Sequence, residues 1–111
     1  MDIAGKDKLK LIMTTCPQDK AEGITNLLLE EKLVACVNRI GPVKSKYFWK
    51  GEIRTDDECI LFLKTTDEFV CRTLKKLEEI HPYEVSEIVL LKVEDVNSSY
   101  LKWVTEAVRE E

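Results

Sequence analysis

The 111 residues include a single histidine, His81, and glycine and proline are also scarce, at four and three residues. A single histidine leaves little choice of general base, and the sequence has neither a glycine-rich phosphate-binding loop nor a nucleophile elbow. RNA-binding sheets stack bases on aromatic side chains of their two central strands, whereas here the first predicted strand (residues 8–15) has no aromatic residue and residues 59–63 offer only Phe62. These scarcities argue against an enzyme and against an RNA-binding domain.

The four cysteines, Cys16, Cys36, Cys59 and Cys71, contain no CxxC pair, and this spacing argues against a zinc cluster. A core of this size needs no disulfide bonds, so we expect buried free thiols in a reducing compartment, with Cys36 and Cys59 in apolar strand centres. No apolar run reaches the ~20 residues of a membrane span, and the first residues do not resemble a signal peptide. We therefore expect a cytoplasmic protein without a membrane partner.

The chain has no excess of basic residues: 17 Lys and Arg oppose 21 Asp and Glu, and the formal net charge is −4. An acidic chain lacks the general attraction for phosphate backbones that nucleic-acid binding requires. Hydrophobic residues make up 44% and charged residues 34%, which is the composition of a folded, soluble domain. We expect no nucleic-acid partner.

Apolar periodicity predicts the secondary structure. The predicted strands are residues 8–15, 33–40, a hairpin over 45–53 that turns at 50–51, 59–63 and 85–93. Amphipathic helices are predicted after the first strand, to about residue 32, between 65 and 81, and at the C-terminus. Pro82 is expected to end the second helix, because the residue before a proline is restricted to extended conformations.

Helix starts are predicted from capping patterns. Asp19 with Glu22 and Thr65 with Glu68 match the capping box, and Asn97 is expected to cap the last helix. The order β-α-β-β-α-β with an extra terminal helix predicts an α+β, ferredoxin-like sandwich. We expect one domain over residues 8–111, preceded by a disordered or extended segment over residues 1–7.

The two apolar runs at residues 59–63 and 88–91 carry hydrophobic side chains toward both faces of the sheet. Since helices cover only one face, we expect other copies of the chain to cover the second face and the edge strand. Aromatic side chains on the hairpin suit an interface; alternatively they fold back onto their own domain. The predicted interface residues are Tyr47, Phe48, Trp49, Ile53, Ile88 and Leu90.

Five segments together resemble the CutA divalent-cation tolerance family. They are ACVN at 35–38, YFWKGEI at 47–53, LKTT at 63–66, HPYEVSEI at 81–88 and YLKW at 100–103. The resemblance implies a ferredoxin-like homotrimer that pairs strands between subunits and is related in shape to PII-type signalling proteins. It also implies a role in tolerance to divalent cations, with copper the metal most often named.

Copper-associated members of the family can have two adjacent histidines before the proline, and here Ile80 stands in place of the first one. A metal site would therefore combine His81 with Cys16 and Glu84, with copper preferred over zinc and with ligands that can come from another subunit. The alternative is a structural histidine at a helix end, hydrogen-bonded to a carbonyl or carboxylate.

Three polar residues beside apolar strands, Lys64, Tyr83 and Glu87, are predicted to converge on a small-ligand pocket between subunits, as in a PII-like protein. The alternative is a salt bridge with a packed ring. Two functions follow from these patterns. The chain is either a copper-binding tolerance factor or a PII-like trimeric sensor or scaffold in which metal binding is incidental.

Overall fold

The elements follow the predicted order in a computed structural model that describes residues 2–3 and 5–109. They are β1 (Leu9–Pro17), α1 (Gln18–Glu30), β2 (Cys36–Trp49), β3 (Glu52–Thr66), α2 (Val70–Ile80), β4 (Ile88–Leu91) and α3 (Ser98–Ala107). The four strands form one antiparallel sheet in the order β2-β3-β1-β4. This is the predicted ferredoxin-like arrangement, which is confirmed. Within residues 2–3 and 5–109, none of the helices has the length and hydrophobicity that a membrane span requires.

The core lies between the helices and one face of the sheet. Alternate residues of β1 and β3, such as Ile12, Leu61 and Leu63, are fully buried there, together with Leu28 of α1 and Leu77 of α2. The alternation places the intervening apolar residues of the same strands on the opposite face. These residues, and the two residues of β4 that pair with them, are only partly buried, as the two-sided apolar pattern predicted; they are Leu11, Met13, Ile60, Phe62, Val89 and Leu91.

The predicted capping boxes are wrong. Pro17 is the N-cap of α1, so Asp19 lies inside the first turn and makes no capping hydrogen bond. Thr65 belongs to β3, because the ladder with β1 continues to the following residue, and α2 begins only after Phe69. Asn97 is the N-cap of α3 as expected, but its amide donates to the Ser99 hydroxyl (3.0 Å) and not to the helix backbone.

Two strand boundaries differ from the prediction. β2 runs continuously through Gly41 and Pro42, which are joined by a cis peptide bond, and absorbs them as a bulge between Ile40 and Val43. β4 is shorter than the predicted 85–93, because only four residues pair with β1. At the N-terminus, Ile3 forms an isolated bridge with Asn97. The division at residues 1–7 stays a prediction, and Met1 and Ala4 within it lie outside the described residues.

The far half of the β2–β3 hairpin projects beyond the sheet. β1 pairs with β3 only as far as Glu58, so residues 52–57 of β3 pair with β2 alone. We call residues 43–49 and 52–57 the outer ribbon. It turns through Lys50 and Gly51, both with positive φ. The radius of gyration, 15.0 Å, exceeds the ~13 Å of a compact chain of this length, as such a projection requires.

Candidate functional site

A groove of about 690 Å³ lies between the outer ribbon and the segment that follows α2. Its volume is in the range of small-molecule sites, about 300–1,000 Å³. Of the six lining residues that belong to the ribbon, three are aromatic and two are basic, and the rest of the lining includes three glutamates. The lining residues are Thr15, Ser45, Lys46, Tyr47, Phe48, Trp49, Arg54, Glu58, Tyr83, Glu84, Val85 and Glu87.

His81 fixes the start of the segment that forms one wall of the groove. Pro82 ends α2, as predicted, and leaves His81 extended, with ψ of 132°. The Nε2–H group of His81 donates to the Thr15 carbonyl oxygen (2.8 Å), and Nδ1 accepts from the backbone N–H of Tyr83 (3.2 Å). Both ring nitrogens of this buried imidazole are therefore occupied by hydrogen bonds within the chain.

The end of the same segment is held by β1. The Thr14 hydroxyl donates to the backbone carbonyl oxygen of Glu87 (2.6 Å), and the Thr15 hydroxyl donates to the Glu87 carboxylate (3.2 Å). Since the segment is tied to one strand at both ends, the wall that it forms is pre-organised before a ligand arrives.

A buried carboxylate forms the floor of the groove. Glu58 is only 5% exposed, and the Tyr83 phenol donates a hydrogen bond to its Oε2 atom (2.6 Å). Burial raises the pKa of the Tyr83 phenol, and the hydrogen bond to Glu58 raises that pKa further. No Lys or Arg among residues 2–3 and 5–109 forms an ion pair with Glu58.

The basic residues of the groove belong to the outer ribbon. The Arg54 guanidinium forms an ion pair with Glu52 (3.8 Å), and Lys46 is exposed. Tyr47, on the same ribbon, donates a hydrogen bond to the Asp56 carboxylate, and this bond is the main reason why its pKa is raised. The hydroxyls of Tyr47 and Tyr83 therefore each stabilise a carboxylate.

The predicted metal ligands are not brought together within one chain. Cys16 is fully buried opposite Cys59 on the helix side of the sheet, and burial is the main cause that raises its pKa to about 11. Glu84 is exposed in the groove, whereas His81 binds Thr15 and Tyr83. In the part of the chain that the structure describes, no group of three or more His, Cys, Asp and Glu side chains could hold a metal ion.

The cysteines are all free, as expected, but only two are buried. Cys59 is a core thiol, which confirms that prediction. For Cys36 the prediction is wrong, because β2 is an outer strand and leaves this side chain half-buried, and Cys71 is exposed.

Two of the three predicted pocket residues, Tyr83 and Glu87, line the groove, and Lys64 does not. Lys64 lies six residues beyond Glu58 along β3, roughly 20 Å away at the rise of an extended strand. Its ammonium group stands over the Tyr100 ring, 5.6 Å from the centroid. The sequence prediction did not include Glu58. The pattern that could have indicated it is the acidic run Asp56-Asp57-Glu58 directly before the apolar strand residues 59–63.

The predicted interface residues remain largely exposed on the single chain. Phe48 and Ile53 are cross-strand partners on the outer ribbon, 76% and 66% exposed, so neither side chain folds back onto its own domain. Tyr47 and Leu90 are also exposed, and Trp49 and Ile88 are partly buried. β4, which carries Ile88 and Leu90, is an outer strand of the described sheet.

The antiparallel βαββαβ sheet, the added terminal helix and the groove beside a projecting ribbon define a small ferredoxin-like protein of the CutA and PII-like structural class. Residues 10–107 match the family described as CutA1 divalent ion tolerance protein. The chain belongs to this family.

Individual relatives agree with this assignment. The chain is 42% identical over 103 residues to the CutA homolog of Xenopus laevis. The aligned region covers 92% of this chain and 68% of that protein. Among solved structures, the PII-like protein CutA of Nostoc is 35% identical (TM-score 0.85; 90% and 97% covered). The periplasmic divalent cation tolerance protein CutA of Archaeoglobus fulgidus is 32% identical (TM-score 0.85; 91% and 99% covered). The chain spans 51–68% of the length of its vertebrate relatives.

Proposed function

We propose that this chain works as a homotrimer that contributes to divalent-cation tolerance by binding a small ligand in the groove, which lies at a subunit boundary as in a PII-like sensor. The observation that carries the proposal is that one structure, the outer ribbon, both forms a wall of the groove and exposes Phe48 and Ile53. Assembly through the ribbon would therefore close the groove, so that ligand and subunit contacts depend on each other.

Two surfaces of the single chain support assembly. A two-stranded ribbon is at best marginally stable in water, and here it carries an exposed apolar pair at its far end. The outer edge of β4 presents unpaired backbone groups beside Leu90, and exposed edges of this kind pair readily with another chain. Closed symmetric oligomers bury both kinds of surface.

Light scattering at micromolar concentration tests the assembly, and we expect three times the protomer mass of 12.8 kDa. Ile53→Lys should dissociate the assembly, because a charge would be buried in the interface. Leu29→Lys is the matched control, since Leu29 is an exposed leucine on α1, away from the ribbon. A monomeric wild-type protein, or equal behaviour of the two variants, would contradict the proposal.

Direct copper binding is the second candidate, and it is favoured by the divalent-cation tolerance role named for relatives and by the exposed carboxylate of Glu84 near His81. A copper ion at His81 would have to replace at least one of its hydrogen bonds, and further ligands would come from another subunit. Calorimetric titration of copper, with zinc for comparison, into wild type and His81→Ala tests this candidate. Uptake that is equally weak in both proteins would remove it.

Neither candidate involves catalysis, and we propose a binding role. We also propose a cytoplasmic location, which the four free cysteines support, because exposed and half-buried thiols suit a reducing compartment. Fractionation of cells that express the full protein tests the location, and recovery outside the cytoplasm would contradict it.

A further inference from the structure

Glu58 raises a question that the fold alone does not answer. Glu58 as a residue is 95% buried, and a carboxylate in such a position is costly unless a cation or several donors compensate it. The hydrogen bond that its Oε2 atom accepts comes from the neutral Tyr83 phenol. The described residues supply no basic partner. The carboxylate faces the groove, so the groove is where a compensating cation can enter.

The rest of the lining fits a cation of a particular kind. Glu84 and Glu87 bring two more carboxylates to the wall opposite the ribbon. The ribbon supplies aromatic rings, and the faces of Trp and Tyr attract ammonium groups. The bare or hydrated metal ion is the poorer fit, because the acids do not cluster as a ligand set within residues 2–3 and 5–109. Dispersed acids and aromatic rings suit an extended organic cation.

The two basic side chains of the lining do not cancel this preference. Arg54 is paired with Glu52 outside the carboxylate wall, and Lys46 is exposed on the ribbon. Neither forms an ion pair with Glu58. We propose that the groove binds an organic ammonium compound, whose cationic group pairs with Glu58 and stacks against the ribbon aromatics. This inference rests on the proposed small-ligand function and names the chemical class of the ligand.

Spermidine is the probe for the test, and ATP is a probe of opposite charge. In a Trp103→Phe background, Trp49 is the remaining tryptophan and lines the groove. We expect saturable quenching by spermidine that magnesium chloride of equal ionic strength does not reproduce, and no response to ATP. Glu58→Gln keeps the shape and the Tyr83 hydrogen bond, so affinity should fall by roughly tenfold or more through loss of the charge.

Glu106→Gln is the matched control, because Glu106 is an exposed acid on α3 outside the groove, and it should leave the affinity unchanged. Should Glu58→Gln fail to fold, Glu84→Gln replaces it, with an expected loss of roughly threefold. No saturable spermidine binding, binding of ATP alone, or equal affinity in groove and control variants would overturn the inference. Light scattering on the same samples separates the outcomes: a trimer without spermidine binding refutes the ligand class only, whereas a monomer refutes the proposed function.

Discussion

Removal of the Tyr83 hydroxyl should destabilise the protein without changing its fold. In Tyr83→Phe the ring remains, but the carboxylate of Glu58 loses the donor that lies 2.6 Å away. A hydrogen bond to a charged group contributes about 1.5–3 kcal/mol, and a buried acceptor left without its donor keeps its desolvation cost. We therefore expect the free energy of unfolding to fall by about 2 kcal/mol.

The measurement is urea unfolding of wild type and variant, at one protomer concentration because the proposed assembly would couple to stability. Tyr47→Phe is the matched control: it also removes a phenol that binds a carboxylate, but on the single chain Tyr47 is 38% exposed and the carboxylate of Asp56 is not buried. Its loss should be clearly smaller. Equal losses in the two variants would refute the assignment of Glu58 as a buried carboxylate held by Tyr83.

The pH dependence tests the surroundings of the same phenol, whose pKa is raised first by burial and second by the hydrogen bond to Glu58. The folded protein raises the pKa of Tyr83 above its ordinary value of about 10. A raised pKa means that the contribution to stability is present in full below pH 10 and is lost as the pH rises toward the folded value. The difference between wild type and Tyr83→Phe should therefore shrink above pH 10. A difference that grows there would contradict the argument.

Three further outcomes can be checked directly. At pH 8, iodoacetamide should label the exposed Cys71 well before Cys16, because the pKa of about 11 and the complete burial of Cys16 leave little reactive thiolate. Equal labelling rates of the two cysteines, measured by mass spectrometry, would be inconsistent with the buried position of Cys16. Gly51→Ala should destabilise the hairpin by about 1 kcal/mol in thermal unfolding, because the φ angle of Gly51 is +79°. Gly23→Ala should instead stabilise the fold by about 0.5–1 kcal/mol, because Gly23 lies in α1 with free space around it. Leu61→Ala, in the core, should cost about 2–5 kcal/mol in urea, and a loss below 1 kcal/mol would argue against the described packing.

The sequence predicted those parts of the fold that depend on local chemistry. Pro82 ends α2 because its ring restricts the preceding residue, whatever the rest of the chain does. The capping boxes failed because tertiary pairing overrode them: Thr65 stays in β3, since the strand gains more from its ladder with β1 than from an earlier helix start.

The candidate site was predicted only in part, since it depends on distances across the fold. The HPYEVSEI segment placed Tyr83 and Glu87 near one another along the chain, and both line the groove. Lys64 was assigned to the same pocket because it flanks an apolar strand, but strand length carries it to the other end of β3. Glu58 was missed, because an acidic residue at the start of an apolar strand is usually solvated. Its hydrogen bond to Tyr83, 25 residues further along the chain, exists only in the folded structure.

The sheet has two regions that can open separately, the outer ribbon and the strands of the core. Backbone amides of β1 are flanked by strands on both sides, so their hydrogen exchange requires opening of the core, whereas residues 52–57 pair with β2 alone. The ribbon can therefore fray while the domain stays folded. Substitutions near its tip should therefore lower the protection of residues 52–57 from hydrogen exchange while the protection of β1 stays unchanged.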